Sequence, residues 1–520
     1  MHTLILLALF TGALLAIKRI LDVHKALLEI HRWPGAIVLL PSRGLIYFIL
    51  KPKPIKYLWR GGSRPWRDKH TEFANYGVDI MSITTVLPNV NRSFSIADAA
   101  AIKEITTHRN RFVKPVRQYR ALLFYGHNIV ASEGDQWKRY RKICAPAFSE
   151  RNNKMVWEET VRIMSDLFDT VWDDKREIVV DHAIDITLPI ALFVISAAGF
   201  GQRIPWTGGE VIPDGHQMSF KEALHILSTE IFVKVIAPKW IVKYGPLRFR
   251  KVETAYNELE LYMNELIQKR RSSEKKEERY DLLSSLLDAN EEGADALTDS
   301  ELRGNIFIFL LAGHETTAHT LCFTFAMLAL YPDEQEKLHR HIKSIVSDGK
   351  IPTYEQMNVL TQSMAVLYET LRMFPPVHTI PKVAAEDTAL TTVNVAGEIV
   401  TVPIPKGTPL TINTPGLHYN PRYWEDPYAF IPDRFLGNWP RDAFLPFSGG
   451  PRSCIGRRFF ETEAIAILTM LISKYTIEVK DEPQFAHETF EQRKSRILSA
   501  KPVLTLTPQR VPLVFKKRST

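Results

Sequence analysis

Phe447-Ser448-Gly449-Gly450-Pro451-Arg452-Ser453-Cys454-Ile455-Gly456 contains one of only three cysteines in the chain, with glycine, proline and arginine crowded around the sulfur. An apolar run with helical character, Phe459 to Ile472, follows directly. Cys454 is therefore expected at the start of a helix, where unpaired N–H groups and the helix dipole favour an anion such as a thiolate. Gly450 and Gly456 let the backbone come close to a large flat ligand and point N–H groups at the sulfur. A thiolate held this way is a good axial ligand for haem iron. Cys144 and Cys322 read as core packing.

At these positions the chain resembles the cytochrome P450 superfamily, in its membrane-bound, reductase-dependent fungal type. The haem loop of that family reads F-x-x-G-x-R-x-C-x-G, and Phe447, Gly450, Arg452, Cys454 and Gly456 occupy its five fixed positions. The resemblance implies a mainly α fold with a small β region, in which haem b lies between a long central helix and the cysteine-ligand loop. It makes Cys454 the axial ligand of the iron.

The bulk composition agrees with a large enzyme. At 520 residues and 45% hydrophobic, the chain can bury a sizeable core. Three cysteines exclude a disulfide framework and fit a reducing compartment. The net charge of +8 favours acidic partners or anionic membrane surfaces, but is too mild and too interleaved with acids to indicate nucleic acid.

Three more motifs occur in the family's order. In Gly134-Asp135-Gln136-Trp137-Lys138-Arg139-Tyr140-Arg141, Trp137 and Arg141 lie four apart on one helical face. They resemble the family's W-x-x-x-R, whose indole N–H and guanidinium bind a haem propionate. Thr298-Asp299-Ser300-Glu301 is a capping-box signature, and apolar residues then run to Leu330 before Pro332. That predicts a helix of about 32 residues and roughly 48 Å.

At its centre, Ala312-Gly313-His314-Glu315-Thr316-Thr317 puts glycine and two threonines where a packed helix does not want them. A local conflict of this kind marks function. The run matches [AG]-G-x-[DE]-T-[TS], where the family's helix opens into an oxygen groove. By resemblance, Thr316 hydrogen-bonds dioxygen and Glu315 relays protons from solvent, with Ala312 and Gly313 against the haem. The competing reading is a threonine bonded to its own i−4 carbonyl. His314, at the free position of the pattern, reads as packing or substrate lining.

Glu369-Thr370-Leu371-Arg372 pairs acid and base three apart in a helix expected over Val359 to Phe374. The resemblance interlocks Glu369 and Arg372 with Arg434 of Pro432-Asp433-Arg434-Phe435, holding the haem loop. Lys382 stands where many relatives carry a propionate-binding arginine, keeping the charge but losing the fork. His418 reads as a structural histidine, and Ser495 to Ala500 resembles the family's last substrate-facing turn.

Thr3 to Ile17 is almost wholly apolar, with Lys18 and Arg19 after it rather than before it. This order predicts an uncleaved anchor at residues 1–20 whose C-terminal side faces the cytosol. Ala36 to Leu50 predicts an interfacial or re-entrant segment within residues 21–56, the alternative being a buried hairpin. Lys51-Pro52-Lys53-Pro54 predicts a stiff hinge, and residues 57–520 a single haem-thiolate domain.

The resemblance further implies a monooxygenase in the endoplasmic reticulum membrane that oxidises a lipophilic small molecule with O2. A terpenoid or sterol skeleton, such as a lanostane-type triterpenoid, is favoured over an aromatic xenobiotic. No G-x-G-x-x-G fingerprint is present, so electrons must come from elsewhere; the resemblance implies a separate NADPH–cytochrome P450 reductase, with cytochrome b5 as a further candidate donor. Lys138, Arg139, Lys142, Arg457 and Arg458 are candidates to receive such an acidic partner. The rival classes are a reductase-independent haem-thiolate isomerase or peroxygenase, and a non-catalytic haem sensor.

Overall fold

Alternating β-branched segments lie between about 80 and 96 and from about 379 to 413, while long apolar helical patterns fill most of the remainder. The computed structural model describes residues 1–41, 55, 57–206, 212–272, 280–291, 296–347, 349–394 and 396–518. The chain forms two compact units, each from discontinuous segments.

The first unit comprises Met1–Pro115, Val377–Ala429 and Pro440–Ser453. Its six-stranded sheet runs in the order Gly35–Val38, Ile80–Thr85, Asn91–Ile96, Pro409–Asn413, Thr379–Ala384, Phe112–Val113. Ile80–Thr85 and Asn91–Ile96 form an antiparallel hairpin, with Ile80 opposite Ile96. Phe73, Val78, Met81 and Ala97 form a buried cluster under this hairpin, against which Trp33 and Ile83 pack. Asp98 caps the helix Ala99–Thr107 by accepting from the Ala101 N–H.

The N-terminal helix runs from His2 to Leu28, eight residues beyond the expected anchor boundary. Its apolar side chains, among them Leu4, Leu7, Phe10 and Leu14, are exposed. The segment expected to be interfacial begins instead as the strand Gly35–Val38, paired in parallel with Ile80–Thr85. Its remaining residues from 42 onward, and the Lys51–Pro54 hinge, lie outside the described residues.

The second unit comprises Val116–Pro376, Phe430–Trp439 and Cys454–Thr520. It is largely helical, with a three-stranded sheet of Tyr475–Val479, Leu513–Lys517 and Glu177–Val180. At its centre is the helix Asp299–Leu330, 32 residues long as predicted. Thr298 and Glu301 form the expected capping box, and Pro332 opens the next helix. The central helix is apolar enough to cross a membrane, yet most of it is buried inside the unit, as a helix hydrophobic on all sides must be. Gly304 permits close packing there, since a Cβ would meet the His127 carbonyl oxygen at 2.5 Å. Of the charge run Lys269 to Tyr280, the first three residues extend the helix Leu247–Arg271, and 273–279 lie outside the described residues.

Candidate active site

The cysteine loop crosses from the first unit into the second. In the first, Ser448 and Gly450 both take positive φ, 59° and 64°. A Cβ on Gly450 would lie 2.2 Å from the Thr106 carbonyl oxygen, so only glycine fits that position. Phe447 and Arg452 are half-buried in the same loop. Lys382 is buried in the strand Thr379–Ala384, its residue paired with Leu410.

Cys454 lies two residues before Gly456, the N-cap of the helix Arg457–Lys474. It is the exposed one of the three cysteines, while Cys144 and Cys322 are buried. Its thiol is accessible at one surface and ringed by protein elsewhere. That surrounding protein pushes its pKa up, and the Gly456 N–H, Arg141 and Arg457 pull it down. Burial outweighs these opposing groups, so the net shift is upward, towards the neutral thiol. Arg141 and the buried Trp137 share the helix Gly134–Cys144.

On the central helix, Ala312 is exposed and Gly313 and Thr316 half-buried, whereas the neighbouring turns are buried. Ala312 and Thr316, four apart, share one face with little side-chain bulk, while a Cβ on Gly313 would meet Ile195 Cδ1 at 3.2 Å. The helix is continuous here, and the Thr316 hydroxyl donates to the Ala312 carbonyl at 2.6 Å. The i−4 bond weighed above is therefore what this structure contains. His314 points away from that face, two positions from Ala312 and Thr316, and its buried ring nitrogens have no hydrogen-bond partner among the described residues.

Glu315 is buried, and burial raises its carboxyl to about 7 against the opposing effect of a hydrogen bond from Thr505. That bond, from Thr505 Oγ1 to Glu315 Oε1, measures 2.8 Å. Thr505 sits between the strands Ala500–Pro502 and Leu506–Pro508. The substrate-facing turn expected at Ser495 to Ala500 is instead the end of the helix Phe490–Ile497 and the start of the first of these strands. The partner of Glu315 was missed because it lies 190 residues away in sequence.

The Glu369–Arg372–Arg434 interlock is present. Arg372 donates from Nε and Nη2 to the two Glu369 oxygens at 2.7 and 2.8 Å, and Arg434 Nε donates to Oε1 at 3.2 Å. Beside it, Tyr368 donates to Glu461, which also accepts from Arg457 Nε at 2.8 Å. Arg457, a candidate to receive a partner protein, is bonded within the chain and still exposed. Arg139 is bound to Glu301 and Lys138 to Asp135, while Lys138 and Lys142 remain exposed. His418 is buried and accepts the Leu445 N–H at Nε2, 2.8 Å, a structural role.

Residues 52–503 match the Cytochrome P450 family. The chain belongs to the cytochrome P450 family. It is 57% identical over 522 residues, and 100% of both chains, to Cytochrome P450 monooxygenase 124 of Postia placenta. It is 30% identical over 484 residues to a cytochrome P450 monooxygenase of Arthrobotrys oligospora, covering 82% of each. The fold is that of the crystallised cytochrome P450DA heme domain, with a TM-score of 0.73 at 22% identity over 94% of this chain and 99% of that one. The enzyme class is cytochrome P450 monooxygenase, and membership implies a haem-thiolate cofactor and a redox partner. The exposed Cys454 and the small side chains of Ala312 and Thr316 on the central helix fit that cofactor.

Proposed function

We propose that the chain is a membrane-anchored monooxygenase that hydroxylates a lipophilic small molecule of terpenoid or sterol type, drawing electrons from NADPH through a separate reductase. The observation that carries this reading is the face shared by Ala312 and Thr316 with the buried, near-neutral acid Glu315 between them in sequence. When bound, the haem supplies the oxygen chemistry, for which a thiolate ligand favours O–O cleavage. Cys454 would ligate the iron, Trp137, Arg141 and Lys382 would hold its propionates, and Phe447, Gly450, Arg452 and Gly456 would shape the loop. Glu315 would hold and release protons, and Thr316 would hydrogen-bond dioxygen on breaking its bond to Ala312. Glu369, Arg372 and Arg434 would hold the loop in place.

The exposed apolar helix His2–Leu28 supports an anchor, and with it the endoplasmic reticulum membrane and a substrate reached from the bilayer. The second reading, a reductase-independent haem-thiolate isomerase or peroxygenase, makes no use of the Glu315–Thr316 pair. The deciding experiment is the reduced carbon-monoxide difference spectrum of microsomes expressing the chain and Cys454→Ala, followed by turnover of triterpenes and sterols. A thiolate-type Soret band lost in the mutant, with product only when NADPH and reductase are present, is expected. Product without reductase would move the protein to the second reading. A histidine-type band would remove Cys454 as ligand.

A further inference from the structure

Glu315, Thr505 and His319 form a continuous hydrogen-bonded file inside the second unit. Besides the bond from Thr505 to Glu315, His319 Nδ1 lies 2.9 Å from the same Thr505 oxygen. All three side chains are buried. A threonine hydroxyl has one proton to give. With that proton directed at Glu315, His319 Nδ1 must be the donor to Thr505, and Nε2 is left as the acceptor of a neutral ring.

We propose that this file is a proton relay that loads Glu315, with Thr505 and His319 as its positioning residues. It rests on the assignment of Glu315 as the proton-relaying acid. A proton taken up at His319 Nε2 is balanced by transfer of the Nδ1 proton to Thr505 Oγ1, and of the Thr505 hydroxyl proton to Glu315 Oε1. One proton enters, one arrives, and no electron moves. The ring ends as the Nε2–H tautomer and the carboxyl ends neutral.

The surroundings suit this direction of transfer. Burial lowers His319 to about 4, so the ring is neutral at rest, and burial raises Glu315 to about 7, so the acid accepts a proton near neutrality. The titratable neighbour acting on His319 is His182, ahead of the helix Ile184–Val194, and His319 in turn acts on His314 of the same central helix. Thr505 is carried on a three-residue turn, braced by the Val503 N–H donating to the Thr505 carbonyl at 2.9 Å. That turn fixes the hydroxyl between its two partners.

The test uses the full-length holoprotein in lipid nanodiscs. Infrared titration identifies the Glu315 carboxyl by the band lost in Glu315→Gln. In Thr505→Val that band is expected at higher frequency, with its midpoint raised by about one pH unit, because a hydrogen bond to the ionised form is gone. Product formed per NADPH is expected to fall about tenfold with a larger solvent-deuterium isotope effect. Thr505→Ser should restore both. If Thr505→Val does not fold, His319→Phe, which leaves the Thr505–Glu315 bond intact, should show the same coupling loss. An unmoved band with unchanged coupling in a folded Thr505→Val or His319→Phe would overturn the relay. Failure of the wild type to couple NADPH to any product would instead remove the assignment of Glu315, and the infrared titration reads the file independently of turnover.

Discussion

Arg372 grips Glu369 one turn earlier on the same helix through two hydrogen bonds, and both side chains are wholly excluded from solvent. Glu369 Oε1 also accepts the Ile431 N–H at 2.9 Å, so the pair fastens the chain just ahead of Arg434. Removing one partner strands a buried charge, which costs about 3–5 kcal/mol. Glu369→Ala and Arg372→Ala should therefore give little or no folded holoprotein, measured as carbon-monoxide-binding protein per unit of expressed chain. Wild-type yield from either variant would show that the pair is dispensable.

Two glycines of the cysteine loop should separate. At Gly450 a methyl group meets both a positive φ and a backbone carbonyl, for a strain of about 1–3 kcal/mol or more. At Gly456 the nearest atom to a Cβ is Phe148 Cε1 at 3.7 Å, an ordinary contact, and φ is −87°. Gly450→Ala should lower the urea midpoint of the polypeptide, while Gly456→Ala should leave it within error. Haem loss in Gly456→Ala alone would then report on the cofactor and not on the fold. Equal midpoints for the two variants would contradict this account.

The Glu315 carboxyl has a clear stability signature. Its folded value, about 7, lies above the ordinary 4.5, so the native state holds its proton where the unfolded chain has released it. No penalty exists below pH 4.5. Stability is lost progressively as pH rises from 4.5 to 7, by roughly 3 kcal/mol in all, and is constant above that. Glu315→Gln cannot titrate. The difference in urea midpoint between wild type and Glu315→Gln should thus change across this window in favour of the variant at high pH, and a flat difference would refute the raised value.

Thr316 should affect chemistry without affecting the fold. Among the described residues its hydroxyl bonds only back to Ala312, at a half-buried position, and alanine is the better helix former by a few tenths of a kcal/mol. Thr316→Ala should keep or slightly raise the unfolding midpoint while product per NADPH falls and hydrogen peroxide release rises. A variant that loses stability but stays fully coupled would mark the threonine as structural.

Local chemistry was readable from the chain alone. The capping box at Thr298 and Glu301 depends on neighbours three residues apart, whereas the demand for glycine at Gly450 also comes from the Thr106 carbonyl, distant in sequence. The strand identity of Ala36 was not readable in that way. Three apolar residues become a strand only because Ile80–Thr85 lies alongside to take their hydrogen bonds.

By itself the sequence determined the cysteine loop, the long central helix and the order of the motifs, because each is encoded in side chains that meet within one or two turns. Only the tertiary structure decided that Glu315 answers to Thr505 and His319, that Arg457 is held by Tyr368 and Glu461, and that Cys454 is the accessible thiol. Burial and hydrogen bonding between distant segments set those charges and contacts, and no local pattern carries that information.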